Sequence, residues 1–205
     1  MAAILIVASC STSRITQSWK DSDTSAIKYS KILVLGLIND TTGMLREQME
    51  AHIASDLKDL GYNAVCSCDE FSPKAFDKMN EQQALDKLTS SGVDAVLTIV
   101  LFNKTKEKYY VPSRMRFSPY DTYHSQFWGY YRTMYNRVYT PGYLVEDTKY
   151  FWESNFYELG DKKLIYSAKS QSFNPGNEQA LGREYGKMII KDMVKKEVLE
   201  THPKK

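Results

Sequence analysis

Lys31-Ile-Leu-Val-Leu-Gly-Leu-Ile38 is a continuous apolar run that follows a polar, Ser- and Thr-rich stretch. An uninterrupted run of this length is typical of a β-strand that is buried on both faces of a sheet. Asn39-Asp-Thr-Thr-Gly43 comes next and supplies the residue types of turns and helix N-caps. The run therefore predicts a central strand that is followed directly by a helix.

The next sixty residues repeat this alternation of strand and helix. Apolar residues at helical spacing predict a first helix that ends at Gly61, and Tyr62–Ser67 reads as a second strand. A second helix stops near Ser91-Gly92, and Val93–Phe102 is a third strand. Right-handed crossovers between such strands build a largely parallel sheet covered by helices. The sequence thus predicts a βαβαβ unit.

The last third of the chain has a different pattern. Tyr143–Tyr157 and Leu164–Phe173 are rich in aromatic and β-branched residues and flank a loose turn, so they predict an antiparallel hairpin. Asn174-Pro175 then opens a final helix. The predicted fold class is α/β or α+β, with a largely parallel sheet extended by the hairpin and closed by a C-terminal helix.

The beginning of the chain resembles a targeting signal. Met1–Ser9 is mostly apolar, and Val7-Ala8-Ser9-Cys10 resembles the lipobox of bacterial lipoproteins. The resemblance implies that residues 1–9 are a signal peptide and that Cys10 becomes an N-terminus modified by fatty acids such as palmitate. Residues 10–30 then read as a tether and 31–205 as a single domain. The alternative is a first strand in which Cys10 is an ordinary buried thiol.

The residues around Cys10 also bear on location. Ser11 rather than Asp follows the cysteine, which resembles sorting to the outer membrane, and the absence of an acidic run favours the side that faces the periplasm. No later segment has the apolar length of a membrane span, so lipid would be the anchor. A net charge of +2 gives no electrostatic argument for nucleic-acid binding.

A wider resemblance covers roughly residues 19–102. Arg46 and Leu57-Lys-Asp-Leu-Gly61, placed after the strand at 32–37, resemble uncharacterised envelope lipoproteins. Those are related in architecture to the TolB amino-terminal domain, the curli-secretion lipoprotein and the activator lipoproteins of penicillin-binding proteins. The resemblance implies a partner-binding or assembly-assisting role and carries over no catalytic residue.

An insertion at about 109–142 holds the candidate binding residues. Between Tyr109 and Tyr139, eleven of 31 residues are aromatic, and four arginines stand against one acid. Tyr, Trp and Arg dominate binding hot spots because they combine rigid area with a polar tip. A protein partner or a glycan of the peptidoglycan type is the predicted ligand. The candidate contacts are Tyr120, Tyr123, Trp128, Tyr131, Arg132 and Arg137.

Other roles for these residues stay open. The insertion could simply pack, within one chain or in a homo-oligomer. A cell-wall hydrolase is the rival class, and it would need Asp121, His124 and Glu153 to converge in a pocket. Ser125 lacks the surroundings of a nucleophilic serine. Cys66 and Cys68 are expected to be small buried thiols that are not linked, with no metal and no cofactor.

Overall fold

A computed structural model describes residues 12–23, 28–71, 75–76, 78–111 and 143–201. The chain divides into two compact units, one formed by Met1–Thr105 with Lys149–Lys205 and the other by Lys106–Thr148. The elements in chain order are β1 (Ser13–Lys20), β2 (Ile32–Leu37), α1 (Met44–Asp59), β3 (Ala64–Cys66), α2 (Ser67–Glu70), α3 (Glu81–Ser90), β4 (Ala95–Val111), β5 (Tyr143–Glu158), β6 (Lys163–Phe173) and α4 (Glu178–Lys195).

The six strands form one sheet in the order β1-β6-β5-β4-β2-β3. β2 lies between β3 and β4 and runs parallel to both. β6 lies between β1 and β5 and runs antiparallel to both. The predicted α/β class is confirmed, including the three parallel strands, the antiparallel hairpin of β5 and β6, and the C-terminal helix.

The apolar run that begins at Ile32 forms the centre of the parallel part. Ile32, Leu33 and Val34 are fully buried because helices cover both faces of the sheet at this strand. Gly43, with a positive φ of 73°, turns the chain into α1. Gly61, with a φ of 94°, turns it out towards β3. The prediction of strand, turn and helix is confirmed along this stretch.

The larger core lies on the face that α1 and α4 cover. These two helices pack closely because α4 presents glycines to α1. A Cβ atom on Gly182 would lie 2.9 Å from the backbone oxygen of Gln48, and one on Gly186 would lie 3.1 Å from Cγ1 of Ile53. The largest fully buried side chains include Trp152, Tyr166, Tyr185, Phe156, Met49 and Ile53.

The opposite face carries a smaller core under α3. Leu33, Leu88, Val93 and Val96 form it, with half-buried phenylalanines beside them. α3 begins with a capping box, in which the Asn80 side chain accepts from the backbone N–H of Gln83. None of the helices in the described ranges is long and apolar enough to cross a membrane.

The predicted tether at 10–30 needs a correction. Ser13–Lys20 forms β1, which pairs with β6 at the border of the sheet. Its apolar content is low, and the Trp19 side chain is 47% exposed. Main-chain hydrogen bonding to β6, rather than apolar burial, explains why this polar stretch is ordered. The folded unit therefore starts well before residue 31.

Candidate functional site

The groups of chemical interest lie where the parallel strands end. Ser13, Leu37, Lys149 and Phe173 mark this border, which we call the upper edge of the sheet. β2 and β6 end there, β1 begins there, and β5, which starts at Tyr143, begins its pairing with β6 there. In open α/β sheets, the carboxyl ends of the parallel strands are the usual position of functional groups.

A buried carboxylate is the centre of the cluster. Glu50, on α1, is fully buried. Its Oε1 accepts hydrogen bonds from the backbone N–H of Gly36 at 2.8 Å and from Oγ of Ser67 at 2.8 Å. Its Oε2 accepts from Oγ of Ser67 at 2.9 Å and from the backbone N–H of Cys68 at 3.0 Å. The carboxylate thus joins α1 to β2 and to the start of α2.

Gly36 makes this approach possible. A Cβ atom at this position would lie 2.9 Å from Cγ of Arg46 and 3.0 Å from Oε1 of Glu50. A side chain at position 36 would therefore push the Glu50 carboxylate away from the backbone N–H of that residue, from which it accepts a hydrogen bond. The glycine inside the apolar run is a packing requirement of the Glu50 cluster.

The environment of Glu50 changes its acidity. Burial raises the pKa of the Glu50 carboxyl above its usual range, because the charged form loses its hydration. Smaller effects act in the opposite direction and come from the N–H of Gly36, the hydroxyl of Ser67, the N–H of Cys68 and the charge of Arg46. Its hydrogen bonds therefore offset part of the cost of burying the carboxylate.

A disulfide lies beside this carboxylate. Cys66 and Cys68 are joined to each other, with their Cα atoms 5.2 Å apart. The prediction that they are unlinked thiols is wrong. It assumed that both residues lie on one extended strand, whereas β3 ends at Cys66 and Cys68 already belongs to α2. The change of direction between them brings the two sulfurs together.

The same three residues are the candidates for a metal. Within the described ranges, Glu50, Cys66 and Cys68 are the group whose ligand-type atoms all lie within 4.8 Å of one another. A metal needs thiolate sulfur, and sulfurs that are bonded to each other do not provide it. The disulfide form of this cluster therefore does not fit a metal site.

The site residues predicted from the sequence fall elsewhere. Cys10 and the candidate contacts of the insertion lie outside the described residues, as do Asp121, His124 and Ser125. Glu153 lies half-buried on β5 and accepts a hydrogen bond of 2.9 Å from the Asn155 side chain. These predictions remain predictions.

Thr12, the first residue that the structure describes, is hydrogen-bonded to α4 and β6. The backbone N–H and Oγ1 of Thr12 donate to Oε2 of Glu184 on α4, at 3.2 Å and 2.5 Å. Its carbonyl accepts from the backbone N–H of Phe173 at 2.8 Å. Thr12 lies two residues after Cys10, so a residue bonded to α4 and β6 follows the predicted lipidation site closely in sequence.

The upper edge also holds the points where the chain leaves and re-enters the first unit. Lys149 on β5 pairs with Phe173 on β6, and the ammonium group of Lys104 on β4 lies 5.0 Å from the Tyr150 ring centre. β1 and β5 are separated by β6 alone, which is a distance of about 10 Å. The first unit thus resumes at Lys149, on the edge where Thr12 lies.

The sequence matches no protein-family model and no curated protein. Solved structures that resemble it include the PelC dodecamer from Paraburkholderia phytofirmans, with 10% identity, a TM-score of 0.47, and coverage of 91% of this chain and 99% of that one. They also include lipoprotein GNA1162 from Neisseria meningitidis, with 15% identity, a TM-score of 0.42, and coverage of 81% and 99%. Similarity at this level carries no argument about function.

Proposed function

We propose that this chain is a non-enzymatic protein of a bacterial envelope, anchored by lipid at Cys10, which binds a protein partner at the membrane surface. The contacts are assigned to the Tyr/Arg-rich insertion, with Tyr120, Tyr123, Trp128, Tyr131, Arg132 and Arg137 as the candidates. The observation that carries the proposal is the position of Thr12, which is bonded to Glu184 and Phe173 two residues after Cys10.

This spacing determines how far the folded unit lies from its anchor. Two residues of extended chain span about 7 Å. A fatty acid on Cys10 would therefore hold the upper edge of the sheet against the lipid headgroups, without a long flexible tether between them. Attached acyl chains give stable anchoring when more than one is present.

The surface of the upper edge fits this position. Leu37 and Phe102 are 56% and 64% exposed, and Lys104 follows Phe102 on the same strand. Exposed apolar side chains accompanied by a cation are suited to the interface between water and an anionic bilayer.

The composition of the insertion supports binding over catalysis. Tyr, Trp and Arg form hot spots, and long segments that join paired strands are often functional. A hydrolase needs a base and a nucleophile, or two carboxylates, that converge. Glu153 is the one hydrolase candidate that lies in the described part of the chain. Its carboxylate accepts a hydrogen bond from the Asn155 side chain on the same strand.

The test is crosslinking and capture from intact envelopes. Trp128→Ala with Arg132→Ala should abolish the crosslinks of the wild-type chain while the melting temperature stays unchanged. The matched control is Trp19→Ala with Arg14→Ala, which removes the same residue types from β1 and should leave the crosslinks intact. Unchanged crosslinks in the first variant would contradict the proposal.

Two further readouts separate the alternatives. Sedimentation with insoluble peptidoglycan that depends on Trp128 and Arg132 would identify a glycan ligand instead of a protein. Light scattering of a Cys10→Ser variant would detect a homo-oligomer, and loss of that oligomer in the Trp128→Ala and Arg132→Ala variant would assign the insertion to self-association.

A further inference from the structure

We propose that the Cys66–Cys68 disulfide is a redox centre that exchanges with an external protein dithiol, with Cys68 as the sulfur that is attacked and Cys66 as the sulfur that leaves. The inference goes beyond the proposed binding function and does not depend on the lipid anchor. It rests on the different surroundings of the two sulfurs and on the buried carboxylate beside one of them.

The two cysteines differ in access. Cys66, at the end of β3, is 3% exposed, whereas Cys68, in the first turn of α2, is half-buried and is followed by exposed Asp69 and Glu70. Exchange requires a thiolate to reach one sulfur of the disulfide, and access decides which one. An incoming thiolate therefore reaches Cys68.

The leaving sulfur has a hydrogen-bond donor in place. The backbone N–H of Cys68 lies 3.2 Å from Sγ of Cys66 and donates to it. A backbone donor stabilises negative charge on sulfur as the bond to Cys68 breaks. Access to Cys68 therefore decides which sulfur leaves, and this backbone donor offsets part of the negative charge that develops on Cys66 beside Glu50.

The reduced form also has a partner in place. Oε2 of Glu50 lies 3.0 Å from Sγ of Cys66. In the disulfide this sulfur has no proton to donate, but a Cys66 thiol would donate a hydrogen bond to the carboxylate. Glu50 is a positioning residue in this scheme, because it favours the reduced state and keeps Cys66 close to Cys68 for reoxidation.

The exchange balances with a dithiol as the reductant. A thiolate of the reductant attacks Sγ of Cys68, forms a mixed disulfide and displaces Cys66, which takes up a proton. The second thiol of the reductant then attacks its own partner sulfur in the mixed disulfide and releases Cys68 as a thiolate, which is protonated in turn. Two electrons and two protons pass to the cysteine pair, and the reductant becomes a disulfide.

The experiment equilibrates the full chain with dithiothreitol at graded ratios of reduced to oxidised form, followed by alkylation. Trypsin releases residues 59–74, a peptide that holds Cys66 and Cys68 without Cys10. Mass spectrometry should show a reversible change from no alkyl group to two alkyl groups. A pair that never interconverts would overturn the proposal. Purified protein with a bound metal and protected thiols would overturn it as well.

The single cysteine variants test the assigned order. Cys66→Ser leaves the accessible Cys68 thiol, which should form a mixed disulfide with oxidised glutathione. Cys68→Ser leaves the buried Cys66 thiol, which should react at least about tenfold more slowly, because access limits exchange. Equal rates would contradict the assignment of Cys68 as the attacked sulfur.

Glu50→Gln tests the carboxylate, with Glu47→Gln as an exposed control on the same helix. Loss of a charge-assisted hydrogen bond should shift the dithiol–disulfide equilibrium towards the disulfide by roughly tenfold. A merely structural role would lower the melting temperature without moving this equilibrium, and that result would overturn the role of Glu50. The cysteine variants test the exchange independently if Glu50→Gln does not fold.

Discussion

The parallel half of the sheet, β2, β3 and β4, and the antiparallel half, β1, β5 and β6, are stabilised in different ways. In the parallel half, Ile32, Leu33, Val34 and Leu97 are fully buried aliphatic residues. The strands there are covered on both faces, so almost every position is apolar. Burial of hydrocarbon is the main stabilising term in this half.

In the antiparallel half, buried hydroxyl groups accompany large buried aromatic side chains such as Trp152 and Phe156. Oγ of Ser154 on β5 lies 2.8 Å from the hydroxyl oxygen of Tyr185, and Oγ of Ser170 donates to the same hydroxyl oxygen at 3.4 Å. Oγ of Ser13 lies 2.7 Å from Oγ of Ser172. We call these five residues the serine seam. Hydrogen bonds in a buried seam specify register, but each contributes less than a buried leucine.

The largest effect is expected for a core deletion in the parallel half. Leu97→Ala should lower the free energy of unfolding by about 2–5 kcal/mol, because a fully buried side chain leaves a cavity. Urea unfolding measures the change. Leu37→Ala, at a 56% exposed position on β2, should cost less than about 0.5 kcal/mol. Equal losses would contradict the core assignment.

A smaller effect is expected where α4 packs against α1. Gly182→Ala on α4 should cost about 1–3 kcal/mol, because its Cβ would lie 2.9 Å from the backbone oxygen of Gln48. Helix propensity alone predicts that Ala would raise the stability by about 1 kcal/mol, so the sign of the change distinguishes the two effects. Thermal unfolding measures the change in stability. Gly160→Ala has open space and serves as the neutral control.

The serine seam should respond more weakly. Tyr185→Phe removes one hydroxyl and leaves those of Ser154 and Ser170 without this partner, so we expect a loss of about 1–2 kcal/mol. A double-mutant cycle with Ser154→Ala measures the coupling by urea unfolding. Additive losses would contradict a direct hydrogen bond, and Tyr157→Phe at a half-buried position is the control.

The smallest effect concerns pH. Because burial raises the pKa of Glu50, the folded chain binds this proton more tightly than the unfolded chain does. The contribution to stability is therefore greatest below the ordinary glutamate pKa and falls as pH rises towards the raised value. The free energy of unfolding, measured against pH, should show this decline in the wild type and in Glu47→Gln but not in Glu50→Gln. An identical pH profile in all three chains would contradict the raised pKa of Glu50.

The sequence predicted the parallel half well because burial on both faces leaves a strong pattern. Ile32–Leu37 is a strand, and Gly43 and Gly61 delimit the helix that follows it. β1 was predicted as tether because Ile15 and Trp19 are its only large apolar residues. Its order comes from pairing with β6, a distant segment whose partner no local pattern reveals.

The Glu50 cluster was missed for a related reason. On α1, Glu50 reads as one of several polar residues between apolar positions, and its burial depends on Gly36 and Ser67, which are far away in sequence. The glycine within the apolar run was the available signal, since a glycine in a strand marks a close approach. The bend between Cys66 and Cys68 likewise depends on the switch from β3 to α2.

We propose above that a lipid on Cys10 holds the upper edge of the sheet at a membrane, and mass spectrometry of the mature N-terminus, from protein purified out of native membranes, decides this. We expect a chain that begins at Cys10 and carries fatty acyl groups. A Cys10→Ser chain should leave the membrane fraction, whereas Ser11→Ala should stay there. An unmodified Cys10 in protein that fractionates with soluble contents would overturn the lipid anchor.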